Sequence, residues 1–129
     1  MRSIAAAALS LALLATAAAQ KQRKPPDVRI VETKAVREGP RITVDGKVRV
    51  TSEKQLRGLV IVFDFRSPEK EVVTSQKTVV DEGALETGRE GVYHAEMADA
   101  VRAVNYTIRA FDSHEKELNV ANPGPHVIE

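Results

Sequence analysis

Asp112, Ser113 and His114 stand side by side and supply all three residue types of a hydrolytic triad. In a working triad a histidine takes the serine proton while a carboxylate orients the imidazole, and the partners meet through space rather than along the chain. Consecutive residues in a tight turn project in divergent directions, and no Gly-x-Ser-x-Gly elbow occurs elsewhere. Asp and Ser are also common turn formers that bond their own backbone, so the trio reads as a hairpin turn.

His94, His114 and His126 are the three imidazoles of the chain. Imidazole ligates zinc and copper, but these three fall on an expected strand, a turn and the chain end, and none has a second ligand at a metal-motif spacing. Separate surface histidines are the simpler expectation. A small secreted hydrolase or metal-dependent protein using His94 or His114 is the alternative function. The carboxylate pairs Asp81-Glu82, Glu69 with Glu71, and Glu115 with Glu117 lack the shaped loop of about six or more oxygens that calcium prefers. The residues therefore indicate no catalytic group, no metal ligand and no cofactor.

A different chemistry is available to Val60, Val62 and Asp64, which share one face of an expected strand, and to Thr107 and Phe111 on another. Were those two strands neighbours, these five side chains would form a partly apolar patch, and such patches mark partner sites. Asp64, between Phe63 and Phe65, either borders a binding groove, pairs with an arginine, or sits as an ordinary outward strand residue beside the Arg66 turn; the last is the expectation, since charges on a sheet surface are common. An exposed sheet edge, such as the first strand, offers a second way to hold a partner.

The elements that must carry these residues centre on 40–66, PRITVDGKVRVTSEKQLRGLVIVFDF. Ile42, Val44, Gly46, Val48 and Val50 alternate with Arg41, Thr43, Asp45, Lys47 and Arg49, the period of a strand with one dry and one charged face. Asp45-Gly46 is also a hairpin signal. A two-residue loop there would oppose Val44 to Lys47 and Ile42 to Arg49 and set two cations in the apolar row, so it is rejected. A three-residue loop with Gly46 left-handed survives as the lesser alternative. After the polar turn 51–55, Leu59, Ile61, Phe63 and Phe65 line one face and Val60 and Val62 the other. A segment apolar on both sides belongs inside a sheet.

Around this pair the chain predicts a strand over 27–37 with Val28, Ile30, Val31 and Val36 as its apolar members, and strands over 72–80, 92–97, 101–111 and 118–120. Turn chemistry falls at Glu38-Gly39-Pro40, at Pro68-Glu69-Lys70 and at 112–115, and a loop over 81–88 crosses between sheets. About seven short strands without a helical period predict an all-β, immunoglobulin-like antiparallel β-sandwich.

Residues 1–19 read as a secretory signal peptide: Arg2, an apolar run from Ile4 to Ala15, and small residues Ala17-Ala18-Ala19 before Gln20. The apolar stretch is short for a span, which favours cleavage over a retained anchor and no stable membrane insertion thereafter. Residues 20–26 form a basic, Pro-rich linker, 27–121 the sandwich domain, and 122–129 a flexible tail. The chain contains no cysteine, which excludes a lipidated leader and disulfides; a mature segment of this length builds a core without them. Loss of Arg2 leaves 18 basic and 18 acidic residues, a balance that does not ask for nucleic acid.

The order of a strand with a central glycine, a polar turn, Leu56-Arg57-Gly58-Leu59-Val60-Ile61-Val62-Phe63-Asp64-Phe65, then Val72-Val73, Leu85-Glu86-Thr87-Gly88 and Tyr106-Thr107-Ile108 resembles the FxLYD-type bacterial envelope domains over most of residues 28–121. The resemblance implies a periplasmic or secreted, non-enzymatic binding or scaffold module whose partner is an envelope protein or cell-surface polymer. It brings no catalytic residues.

Overall fold

Alternation of apolar and charged residues every second position dictates strands throughout, and the computed structural model, which describes residues 25–129, contains strands and turns and no helix among them. The expected leader over 1–19 and the first part of the linker lie outside the described residues. Six long strands run in order: β1 (Val28–Glu38), β2 (Arg41–Val50), β3 (Leu56–Arg66), β4 (Val72–Leu85), β5 (Glu90–Ala98) and β6 (Asn105–Phe111). Three two-residue strands follow, β7 (Glu117–Leu118), β8 (Val120–Ala121) and β9 (His126–Val127). One sheet has the order β5-β2-β1-β8 and the other β4-β3-β6-β7, with β9 also on β6. The chain crosses between layers after β2, β4, β5, β7 and β8, and the two sheets form the immunoglobulin-like sandwich that the strand pattern predicts.

β2 is one unbroken strand, which removes the lesser hairpin alternative at Asp45-Gly46; its inward residues Ile42, Val44, Gly46, Val48 and Val50 are all buried. Gly46 has a packing reason: a Cβ there would collide with the Tyr93 ring and the Glu32 carbonyl oxygen, the close approach that an interior strand glycine commonly marks. β3 lies between β4 and β6, as its two-sided apolar pattern requires. Leu59, Ile61, Phe63 and Phe65 are fully buried against β1, β2 and β5, each contributing about 1.5–3 kcal/mol. Phe63 is the hub, with ring centroids 5.6 Å from Tyr93 and 6.1 Å from Tyr106.

Several boundaries differ from expectation for identifiable reasons. A bulge between Ile30 and Glu32 adds Val31 to β1 and reverses the faces after it, so Val31 is exposed, Val36 faces outward and Ala35 enters the core. Thr33 then points inward and hydrogen-bonds the Tyr106 hydroxyl at 2.7 Å. β4 continues to Leu85, so the crossing loop starts after it. Residues 101–104 are not strand: Arg37 ties this link down by donating to Asp99 Oδ1 at 2.7 Å and the Ala103 carbonyl at 2.8 Å, and Val101 is exposed. The expected closing strand 118–120 divides at Asn119, with Leu118 on β6 and Val120 beside β1. The 122–129 segment, expected as a flexible tail, is instead packed: Ile128 is buried, its N–H bonds the Val104 carbonyl at 3.1 Å, and Glu129 exchanges main-chain bonds with Ala35 and Arg37. With β8 it lines the outer edge of β1, so β1 is not the open edge that partner-strand addition would require.

Candidate functional site

Strand register brings the patch together. β3 pairs with β6 so that Val60 faces Phe111, Val62 faces Arg109 and Asp64 faces Thr107; on its other side the same three residues face Val79, Lys77 and Ser75 of β4. Directly opposed residues share a face, so the outward surface of this sheet is laid out in rows. Val79, Val60 and Phe111 make an apolar row, Lys77, Val62 and Arg109 a row of two cations about a valine, and Ser75, Asp64 and Thr107 a polar row. Val60, Val62 and Phe111 line an open groove whose rim is Lys77, Asp112 and Glu115.

Asp64 lies on the outward face, as its strand position predicts, but it is not an ordinary solvated residue. Its side chain is 8% exposed because the Arg109 guanidinium lies over it, donating from Nε to Oδ2 at 2.7 Å and from Nη2 to Oδ1 at 3.0 Å, while the Ser75 hydroxyl donates to Oδ1 at 2.6 Å. Burial opposes ionisation of this carboxyl, but the bonds from Arg109 and Ser75 and the charges of Arg109 and Arg66 outweigh it and hold the group below its ordinary value. A two-pronged arginine–carboxylate bond of this kind fixes both side chains in one geometry. Arg109, its own affinity for the proton raised by the bond to Asp64, also lies 5.5 Å from the Phe111 ring centroid, within cation–π range. Arg66 donates to the Thr107 hydroxyl at 3.3 Å. Asp64 and Thr107 thus hold the Arg109 and Arg66 side chains on the same face as the groove, which Val60, Val62 and Phe111 line.

The histidines stay apart. His94, on β5, directs Nδ1 to Asp45 and Nε2 to Glu96 at 3.6 Å, all on the exposed side of the other sheet; the Asp45 bond and charge raise its pKa. His114 sits in the β6–β7 turn, and His126 stacks on Tyr106 with centroids 5.5 Å apart. Asp112 Oδ1 accepts from the backbone N–H groups of His114 at 2.8 Å and Lys116 at 3.0 Å, so this carboxylate closes the turn rather than orienting an imidazole. Among the described residues no three His, Asp or Glu side chains converge as a metal would require.

Arg109, Ser75 and Lys77 are the site residues that sequence reasoning missed. Asp64 and Arg109 are 45 positions apart, and only register makes them neighbours. The available signal was Arg109 in the same outward row as Thr107 and Phe111.

No protein-family model matches the chain, and no curated protein matches its sequence. Among solved structures, the chain is similar to the C-terminal domain of wzt, at 8% identity and a TM-score of 0.52, covering 76% of this chain and 69% of that one. It is similar also to a β-glucuronidase from glycoside hydrolase family 2, at 10% identity and a TM-score of 0.51. That match covers 73% of this chain but only 12% of the enzyme. At such identities the likeness concerns the fold, and these neighbours share with this chain a β-sandwich.

Proposed function

We propose that the chain is an exported, non-enzymatic sandwich module that binds or scaffolds another component of the cell envelope through the outward face of β3 and β6. The observation that carries this reading is the groove of Val60, Val62 and Phe111, held beside an arginine that Asp64 fixes in place. An apolar strip next to a pre-oriented cation resembles the make-up of protein interfaces, where aromatic and arginine side chains concentrate the binding energy. The leader-like segment and the resemblance to FxLYD-type domains support export.

The test compares two like substitutions on opposite sides of the sandwich. Val62→Lys in the groove should abolish retention of envelope components on the immobilised domain, whereas Val92→Lys, at a valine 69% exposed on the other sheet, should leave it intact. Circular dichroism should show both folded. Equal retention by the two variants rules the face out.

A further inference from the structure

We propose that β4 is a self-association edge, pairing antiparallel with β4 of a second copy of this chain about a two-fold axis through Gln76.

The edges of the two sheets are not equally guarded. Open strand edges present unpaired N–H and C=O groups, and proteins usually shorten, charge or bulge them. β7 and β8 are two residues each. β5 is longer, but its outward side chains Glu90, His94 and Glu96 are engaged with Arg49, Asp45 and Arg41 of β2. β4 differs. Among the described residues no strand pairs with its outer edge, although Thr78 Oγ1 donates to the His94 carbonyl of β5 at 3.5 Å, and between register shifts near Val73 and Val80 it runs regularly against β3 from Thr74 to Val79. That stretch, TSQKTV, holds one charge and no proline or glycine.

The stretch is complementary to itself in one register. A two-fold axis normal to the sheet must oppose outward residues to outward residues, so it passes through a residue rather than between two. Placed on Lys77, it would set that cation against its own copy, which is destabilising. Placed on Thr78, it would carry the pairing across the bulge. Placed on Gln76, it opposes Thr74 to Thr78, Ser75 to Lys77 and Gln76 to itself, all within the regular stretch. Threonine pairs across strands are favourable, and no like charges meet. The joined sheets would carry two Val60–Val62–Phe111 grooves on one continuous surface, which raises the avidity for any repeating partner without a new contact.

The chain has no cysteine, so a single Gln76→Cys variant reports on the axis alone. Opposed Cα atoms in either kind of antiparallel pair lie about 4.5–5.5 Å apart, within the roughly 4.4–6.8 Å that a disulfide spans. Oxidation of this variant should give a covalent dimer on a non-reducing gel, and sedimentation of the unmodified protein should show a concentration-dependent dimer. Ser75→Lys, which opposes lysines at two places, should return it to monomer. Adding Lys77→Glu to that change should restore the dimer by turning both contacts into opposite charges. A monomer at every concentration, no cross-link at position 76, or a dimer indifferent to Ser75→Lys overturns the proposal; circular dichroism checks that each variant remains folded.

Discussion

On the outward side of β2 and β5, Arg49 meets Glu90 at 2.6 Å, Arg41 meets Glu96 at 3.3 Å and Asp45 meets His94, with every one of these side chains 38–67% exposed. On the outward side of β3 and β6, one pair stands among valines and a phenylalanine, and its carboxylate is almost wholly covered. Both surfaces arise from the same alternation of side chains along a strand. They differ in what the charges do. Water screens the first set, so each pair contributes little, about 0–1 kcal/mol, and the surface is chemically satisfied and solvated. The Asp64–Arg109 pair is partly desolvated, and its breaking would strand a covered charge. On one face the ion pairs stand in water; on the other the carboxylate lies under the Arg109 guanidinium, beside the apolar side chains on which the proposed binding role rests.

The largest expected difference between the two faces is therefore in stability. Arg109→Ala should cost about 1–3 kcal/mol in chemical denaturation, since it leaves Asp64 buried without its main partner. Arg49→Ala, which removes an exposed arginine of the same kind, should cost no more than about 1 kcal/mol. Equal losses would erase the contrast between the surfaces.

The second expected difference lies in acid. The Asp64 carboxyl is held below its ordinary value of 3.8, so its contribution to stability is full above that value and drains away as pH falls through the lower folded value. In Arg109→Ala the burial that opposes ionisation loses its main counterweight, and the Asp64 carboxyl should titrate higher than in the parent protein. Carbon-detected NMR of the carboxyl resonances measures both; an unmoved resonance in the variant would show that Arg109 is not what holds Asp64 ionised.

The smallest effect belongs to His94. Its pKa is raised above 6.5 by the Asp45 hydrogen bond and charge, so any stabilisation is complete below that value and is lost as pH rises through the raised one. Because the group is more than half exposed, His94→Ala should leave the denaturation midpoint near neutral pH almost unchanged, while NMR of the ring protons should still show the raised value in the parent protein. A large loss of stability would place the exposed face alongside the covered one.

Much of this architecture is legible in the sequence because a strand's side-chain period is short and repeats. The inward rows of β2 and β3, the placement of β3 inside its sheet and the rejection of a two-residue hairpin at Asp45-Gly46 all follow from the identity of every second residue. Reading fails where one residue breaks the period or where a contact depends on a distant strand. Val31 is such a break: the chain shows no sign that it is an added residue, yet it turns Val36 outward and Ala35 inward. The segment around Ile128 is another case. Its proline and glycine residues read as loose, but Val104, Ala35 and Arg37 supply main-chain partners that no local pattern announces.

The sequence by itself determined which residues of β2 and β3 turn inward and that two layers must close over them, because alternation and apolar content are local properties of the chain. Only the tertiary structure decided that Val60 stands beside Phe111, that Arg109 covers Asp64 and that β4 is left at an edge. Those facts depend on register and strand order, which are set by the packing of side chains far apart in sequence and are invisible to any single segment.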